Sequence, residues 1–99
     1  MLKHIIIWKL KETLTPEEKV KSKDIKVNLE ALVGKVPGLT SVEVTIDLLD
    51  SSTGDLMLDT TMESEEALKG YAIHPEHVKV ANTYVRPYTQ VRMCVDYLI

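Results

Sequence analysis

Ninety-nine residues, 44% of them hydrophobic and 27% charged, describe a single globular domain covering residues 1–99. The net charge is −3, and Lys19, Lys21, Lys23 and Lys26 are interleaved with Glu17, Glu18 and Asp24, so no basic stripe exists to follow a nucleic acid backbone. No apolar run nears the ~20 residues that span a bilayer. The N-terminus lacks the order of a secretory signal, and the lone Cys94 has no internal partner, so the expected setting is cytoplasmic, without membrane association.

The first element is a strand from Leu2 to Leu10, because Ile5, Ile6, Ile7 and Trp8 are strong β-formers with nothing to break the run. Its faces, His4/Ile6/Trp8/Leu10 and Ile5/Ile7/Lys9, are both largely apolar, which predicts a central strand covered on both sides. Thr15-Pro16-Glu17-Glu18 opens a helix with Thr15 as N-cap and Glu18 closing a capping box. Ile25, Leu29, Leu32, Val33 and Val36 recur at helical spacing until Pro37-Gly38.

Val42, Val44, Ile46 and Leu48 alternate with polar residues as a second strand. Asp50-Ser51-Ser52-Thr53-Gly54 turns the chain into a third, Asp55 to Met62, paired back as a hairpin. Ser64 caps a short helix through Tyr71, and Pro75 opens another that ends before Pro87. In the last strand, Thr89 to Leu98, Val91/Met93/Val95/Tyr97 alternate with Gln90/Arg92/Cys94/Asp96.

The order β-α-β-β-α-α-β, with right-handed crossovers, predicts an α+β ferredoxin-like protomer: a four-stranded antiparallel sheet with helices on one face. The other face then presents Ile5, Ile7, Met93, Val95 and Tyr97 as an apolar patch. Such a patch is rare on monomers and is covered at once by a twofold partner, so a homodimer is expected.

Chemical capacity concentrates in Tyr71-Ala72-Ile73-His74-Pro75-Glu76-His77-Val78, which holds two of the three histidines. Pro75 ends one helix and starts the next, bringing His77, in the first turn, near Tyr71. His77 is read as a general base on an acidic C–H with Tyr71 donating to the developing oxygen, or as a packed residue at a helix junction. Desolvation at such a cleft would lower the His77 pKa. His74, before Pro75, reads as a cap or a solvent-facing residue.

His74, Glu76 and His77 invite a zinc reading. A site would need His4 or Cys94 from distant strands to complete it, so no metal is expected. His4, Cys94 and Asp96 share a sheet face if the first and last strands are neighbours, and Asp96 would then orient His4. Cys94 reads as an inert small hydrophobe. Arg92 either holds an anion at the cleft or pairs with a surface carboxylate.

Lys3-His4-Ile5-Ile6-Ile7-Trp8-Lys9, the segment Leu32 to Val42 with Pro37-Gly38, Tyr71 to Val78, and Val95-Asp96-Tyr97 together resemble the stress-responsive dimeric α/β-barrel (Dabb) domain family. The resemblance spans nearly the whole chain. It implies a ferredoxin-like protomer, an eight-stranded barrel made by two chains, and no cofactor. It does not imply one activity. A cofactor-free polyketide cyclase of the family has a tyrosine, an acid/base histidine and a first-strand histidine that match Tyr71, His77 and His4. This sequence departs from it at Trp8, where a smaller aliphatic residue stands, and in a first helix without aromatic residues.

The reading is a small-molecule-binding or stress-associated barrel of unassigned activity, with a partly apolar cavity lined by Ile6, Trp8, Leu29, Tyr71 and His77, and with His4 and Asp96 as further pocket residues. A cofactor-independent lyase or isomerase using His77 and Tyr71 is the alternative. A purely structural dimer is the third.

Overall fold

A computed structural model describes residues 1–99. Strand β1 (Leu2–Leu10) leads to the short helix α1 (Pro16–Lys19) and then to α2 (Ser22–Glu30). Strands β2 (Leu39–Thr45) and β3 (Leu56–Met62) follow, then helices α3 (Glu65–Ile73) and α4 (Pro75–Val80), a π-helical turn at Ala81–Val85, and β4 (Thr89–Leu98). The four strands lie in the order β2-β3-β1-β4, and every neighbouring pair is antiparallel. This is the expected ferredoxin-like arrangement.

Two features of the first helical region differ from the sequence reading. The capping box is present, with the Thr15 hydroxyl accepting from the Glu18 N–H and the Glu18 carboxylate accepting from the Thr15 N–H. The helix nevertheless breaks after Lys19, because α1 buries no residue and nothing apolar holds it to the sheet. Helix α2 then stops at Glu30 rather than at Pro37: the bonds tighten to i→i+3 at Leu32 and Val33, and Gly34, at φ +89°, then turns the chain away. Leu32 and Val36 still reach the core from the turn, whereas Val33 is exposed.

Strand β2 begins and ends earlier than the alternation from Val42 to Leu48 implies. Gly38, at φ +80°, delivers the chain to the sheet at Leu39, and a Cβ there would lie 2.6 Å from that of Ala67. The ladder ends at Thr45 opposite Met57, after which Ile46 packs on the core from outside the strand. Val44 sits on the free edge of β2, and its backbone is engaged by α2: its N–H donates to Glu30 at 3.0 Å and its carbonyl accepts from Lys26 at 2.6 Å. The edge is thereby kept from pairing with another strand.

The core lies between the sheet and the helices. Leu2, Ile6 and Trp8 of β1 and Leu56, Leu58 and Met62 of β3 meet Ile25 and Leu29 of α2, Tyr71 of α3, and Val80 and Val85. Strand β1 is inner, as expected, but one chain covers only one of its faces. The helices pack on the side that carries Ile6 and Trp8, so Ile7 is left 40% exposed. Strand β4 has no helix packed against it, and from Gln90 onward all its residues are exposed.

Candidate active site

The site is assembled where α3 gives way to α4. The Ser64 hydroxyl accepts from the Ala67 N–H and starts α3, whose last turn carries Tyr71 into the core. The chain then extends at His74, and Pro75 begins α4 with its fixed φ. His74 is the N-cap, its Nδ1 accepting from the Glu76 N–H at 3.2 Å. His77 therefore returns over Tyr71, with ring centroids 4.0 Å apart and planes tilted by 32°.

His4, from the middle of β1, meets Tyr71 edge-on with centroids 5.9 Å apart. On β1 it stands between Thr60 of β3 and Asp96 of β4, and its Nδ1 is hydrogen-bonded to the Asp96 carboxylate. An ionised carboxylate only accepts, so the shared proton belongs to Nδ1 and the ring orientation is fixed.

These rings open on a cavity of about 410 Å³, a volume within the ordinary range for small-molecule sites. Ile6, Trp8, Leu29, Leu58, Leu68 and Val85 supply apolar walls. His4, Tyr71 and His77 also line it, while Thr89, Gln90, Arg86 and Arg92 bring polar groups. Trp8 forms one wall and leaves the void open. Asp96 does not line the cavity; it reaches the site only through His4. Ile7, Met93, Val95 and Tyr97 are exposed and Ile5 is half-buried, all away from the cavity and on the sheet face that carries no helix.

Burial sets the proton chemistry. It pushes the Tyr71 phenol up to about 12 against the opposing charge of Arg92, so Tyr71 keeps its proton and can donate. Burial also lowers His77 from its ordinary value; His4 and Arg86 push the same way, and the Ala72 and Tyr71 backbone opposes them without prevailing. The His77 Nδ1 is enclosed and makes no hydrogen bond of ordinary geometry.

The surroundings of Cys94 depart from the sequence reading in two respects. Cys94 is exposed rather than packed, with its sulfur 3.7 Å from His4 Nδ1 and 3.5 Å from the nearer Asp96 oxygen. Burial and the Asp96 charge push the Cys94 thiol up, which argues against a nucleophile. One ligand atom each from His4, Cys94 and Asp96 lies within 4.8 Å of the other two, so this trio, rather than His74 with His77, has metal-ligand spacing. A cation there would have to displace the His4–Asp96 hydrogen bond.

Arg86 and the π turn were not legible as site features. The bond from the Arg86 N–H to the Ala81 carbonyl, at 2.8 Å, skips one residue more than an α-helical bond. In an α-helix, residue i+5 points about 140° away from residue i. The wider turn brings Arg86 back over Ala81, and both line the cavity. Only the position of Arg86 before Pro87 hints at an irregular end.

The chain belongs to the Dabb family, the stress responsive A/B barrel domain, whose family model matches residues 2–99. It is 28% identical over 99 residues to olivetolic acid cyclase of Cannabis sativa, covering 97% of this chain and 94% of that protein. A dimeric protein of ferredoxin-like fold from Bacteroides fragilis superimposes with a TM-score of 0.91 at 31% identity, over 99% of this chain and 95% of the other. The hydroxynitrile lyase of Passiflora edulis shares the fold, with a TM-score of 0.79 at 16% identity over 99% and 92% of the two chains.

Proposed function

We propose that this protein is a homodimeric, cofactor-independent barrel that binds a small, partly apolar carbonyl compound in the cavity and moves a proton on it. The observation that carries the reading is the Tyr71–His77 stack inside an open void of about 410 Å³. In this reading the enclosed Nδ1 of His77 keeps its proton, and Nε2 removes a proton from the carbon next to the carbonyl. The electron pair of that C–H bond moves to the carbonyl oxygen, and the Tyr71 hydroxyl donates a hydrogen bond to the resulting enolate. The enolate then recaptures a proton or adds to a second carbonyl, which is enolisation or aldol-type lyase chemistry.

Burial supports both roles, since it favours a neutral imidazole that accepts and a neutral phenol that donates. Similarity to olivetolic acid cyclase agrees with carbon–carbon chemistry of this class. A ligand-free structural role would favour a filled core, and the open cavity speaks against it. The homodimer rests on the exposed Met93, Val95 and Tyr97 face and on the dimeric Bacteroides fragilis relative. A cytoplasmic setting, with a role under stress, completes the reading and is supported by the lone Cys94 and the family's description.

The test is deuterium incorporation beside the carbonyl of 2-heptanone, followed by NMR in heavy water. The wild-type protein accelerates exchange over buffer. His77→Ala reduces that acceleration about 100-fold and Tyr71→Phe about 10-fold. Undiminished exchange in His77→Ala would refute the role given to His77.

A further inference from the structure

Arg86 and Arg92 both line the cavity, and no aspartate or glutamate does. Neither arginine belongs to an ion pair within the chain, although the chain as a whole is acidic at −3. Resting on the reading of this cavity as a ligand site, we propose that its ligand is an organic anion, with an apolar tail against Ile6, Trp8 and Leu29 and a carboxylate or phosphate head at the two arginines.

The two arginines reach the cavity from different elements. Arg92 stands on β4, opposite Trp8 of β1, and its charge is felt at Tyr71. Arg86 ends the π turn, and its charge is felt at His77. Tyr71 and His77 thus each feel one of the two cations, and Ile6, Trp8 and Leu29 supply apolar lining. Arg86 also donates a hydrogen bond within its own helical segment, from Nη1 to the Asn82 side-chain oxygen. That contact holds the guanidinium in place without neutralising it.

The π turn makes this arrangement specific. An α-helical continuation through Ala81–Val85 would rotate residue 86 away from the face that Ala81 and Val85 present to the cavity. The fold therefore uses an uncommon backbone form where it carries one of the two cations to the ligand space. Two cations line a cavity to which no carboxylate contributes, so the charge of its lining favours an anion over a neutral or cationic ligand. A guanidinium fork fits the two oxygens of a carboxylate or phosphate.

The experiment uses four probes that share one tail: hexanoate, hexyl phosphate, hexanamide and hexylammonium. Binding is read from the fluorescence of Trp8, the only tryptophan in the chain and a wall of the cavity. At pH 7.5 and low salt, at least one of the two anions binds about 10-fold or more tightly than hexanamide, and hexylammonium binds most weakly. The tighter anion identifies the head group. In the Arg86→Gln/Arg92→Gln double variant the preference collapses to within about threefold, while hexanamide binds as before. Raising the salt to 0.5 M narrows the wild-type preference.

Hexanamide binding as tightly as both anions would overturn the inference while leaving the cavity a ligand site. The same holds for an anion preference that survives in the double variant. Trp8 fluorescence unmoved by all four probes would overturn both the inference and the ligand-site reading on which it rests.

Discussion

At the scale of single residues, the site depends on how burial treats two protons. His77 is half-buried and held below the ordinary imidazole value, so it stays neutral further into acid than a free histidine. If it is the base, the acid limb of the exchange rate has its midpoint below pH ~6.5. No basic limb follows near pH 10, because Tyr71 is pushed up to about 12. A pH–rate profile checks both statements, and an acid midpoint above ~6.5 would contradict the first. The same depressed value has a stability consequence. The unfolded chain takes up the His77 proton first as the pH falls, so the stabilising contribution is full above ~6.5 and is lost as pH falls through the folded value. The Tyr71–His77 pair was legible in sequence because Pro75 dictates where one helix stops and the next starts. His4 with Asp96 was legible from strand alternation once the first and last strands were taken as neighbours. Arg86 was not, since its direction depends on a π turn that no residue type announces.

At the scale of elements, start signals were more readable than stop signals. Thr15, Ser64 and Pro75 each begin a helix, because a side chain or a fixed φ does local work there. The ends of α2 and β2 depend on what lies across from them. Gly34 sits inside an apolar pattern that still looks helical, and the alternation of β2 continues past the point where β3 stops pairing with it. The tie between α2 and β2 is correspondingly tertiary. Burial alone would raise the Glu30 pKa, but the Lys26 ammonium and the Val44 N–H together hold it below 4.5. Glu30→Gln keeps the shape and removes the charge, and it should cost about 1 kcal/mol in urea unfolding at pH 7. The contribution of Glu30 is present above pH 4.5 and is lost as the pH falls through its lowered folded value, so the gap between wild type and variant closes in acid. Equal unfolding midpoints at pH 7 would show that the clamp on Val44 carries no stability.

At the scale of the whole molecule, one sheet serves two purposes. The face bearing His4, Ile6 and Trp8 builds the cavity, and the opposite face, with Ile7, Met93, Val95 and Tyr97, is left for a partner. In the register of β1 and β4, Ile5 pairs with Val95 and Ile7 with Met93, so the patch is continuous across two strands. Val95→Asp would place an unpaired carboxylate at its centre, and sedimentation should then report a monomer or an unfolded chain. A dimer as stable as the wild type would contradict assembly through this face. The central claim, that the void beside Tyr71 and His77 is a site of proton transfer, is tested most directly by measuring 2-heptanone deuterium exchange side by side in wild type, His77→Ala and His74→Ala. The account predicts a loss of about 100-fold in the first variant and a rate within about twofold of wild type in the second, because His74 only caps the helix. Equal rates in wild type and His77→Ala, or equal losses in the two variants, would contradict it.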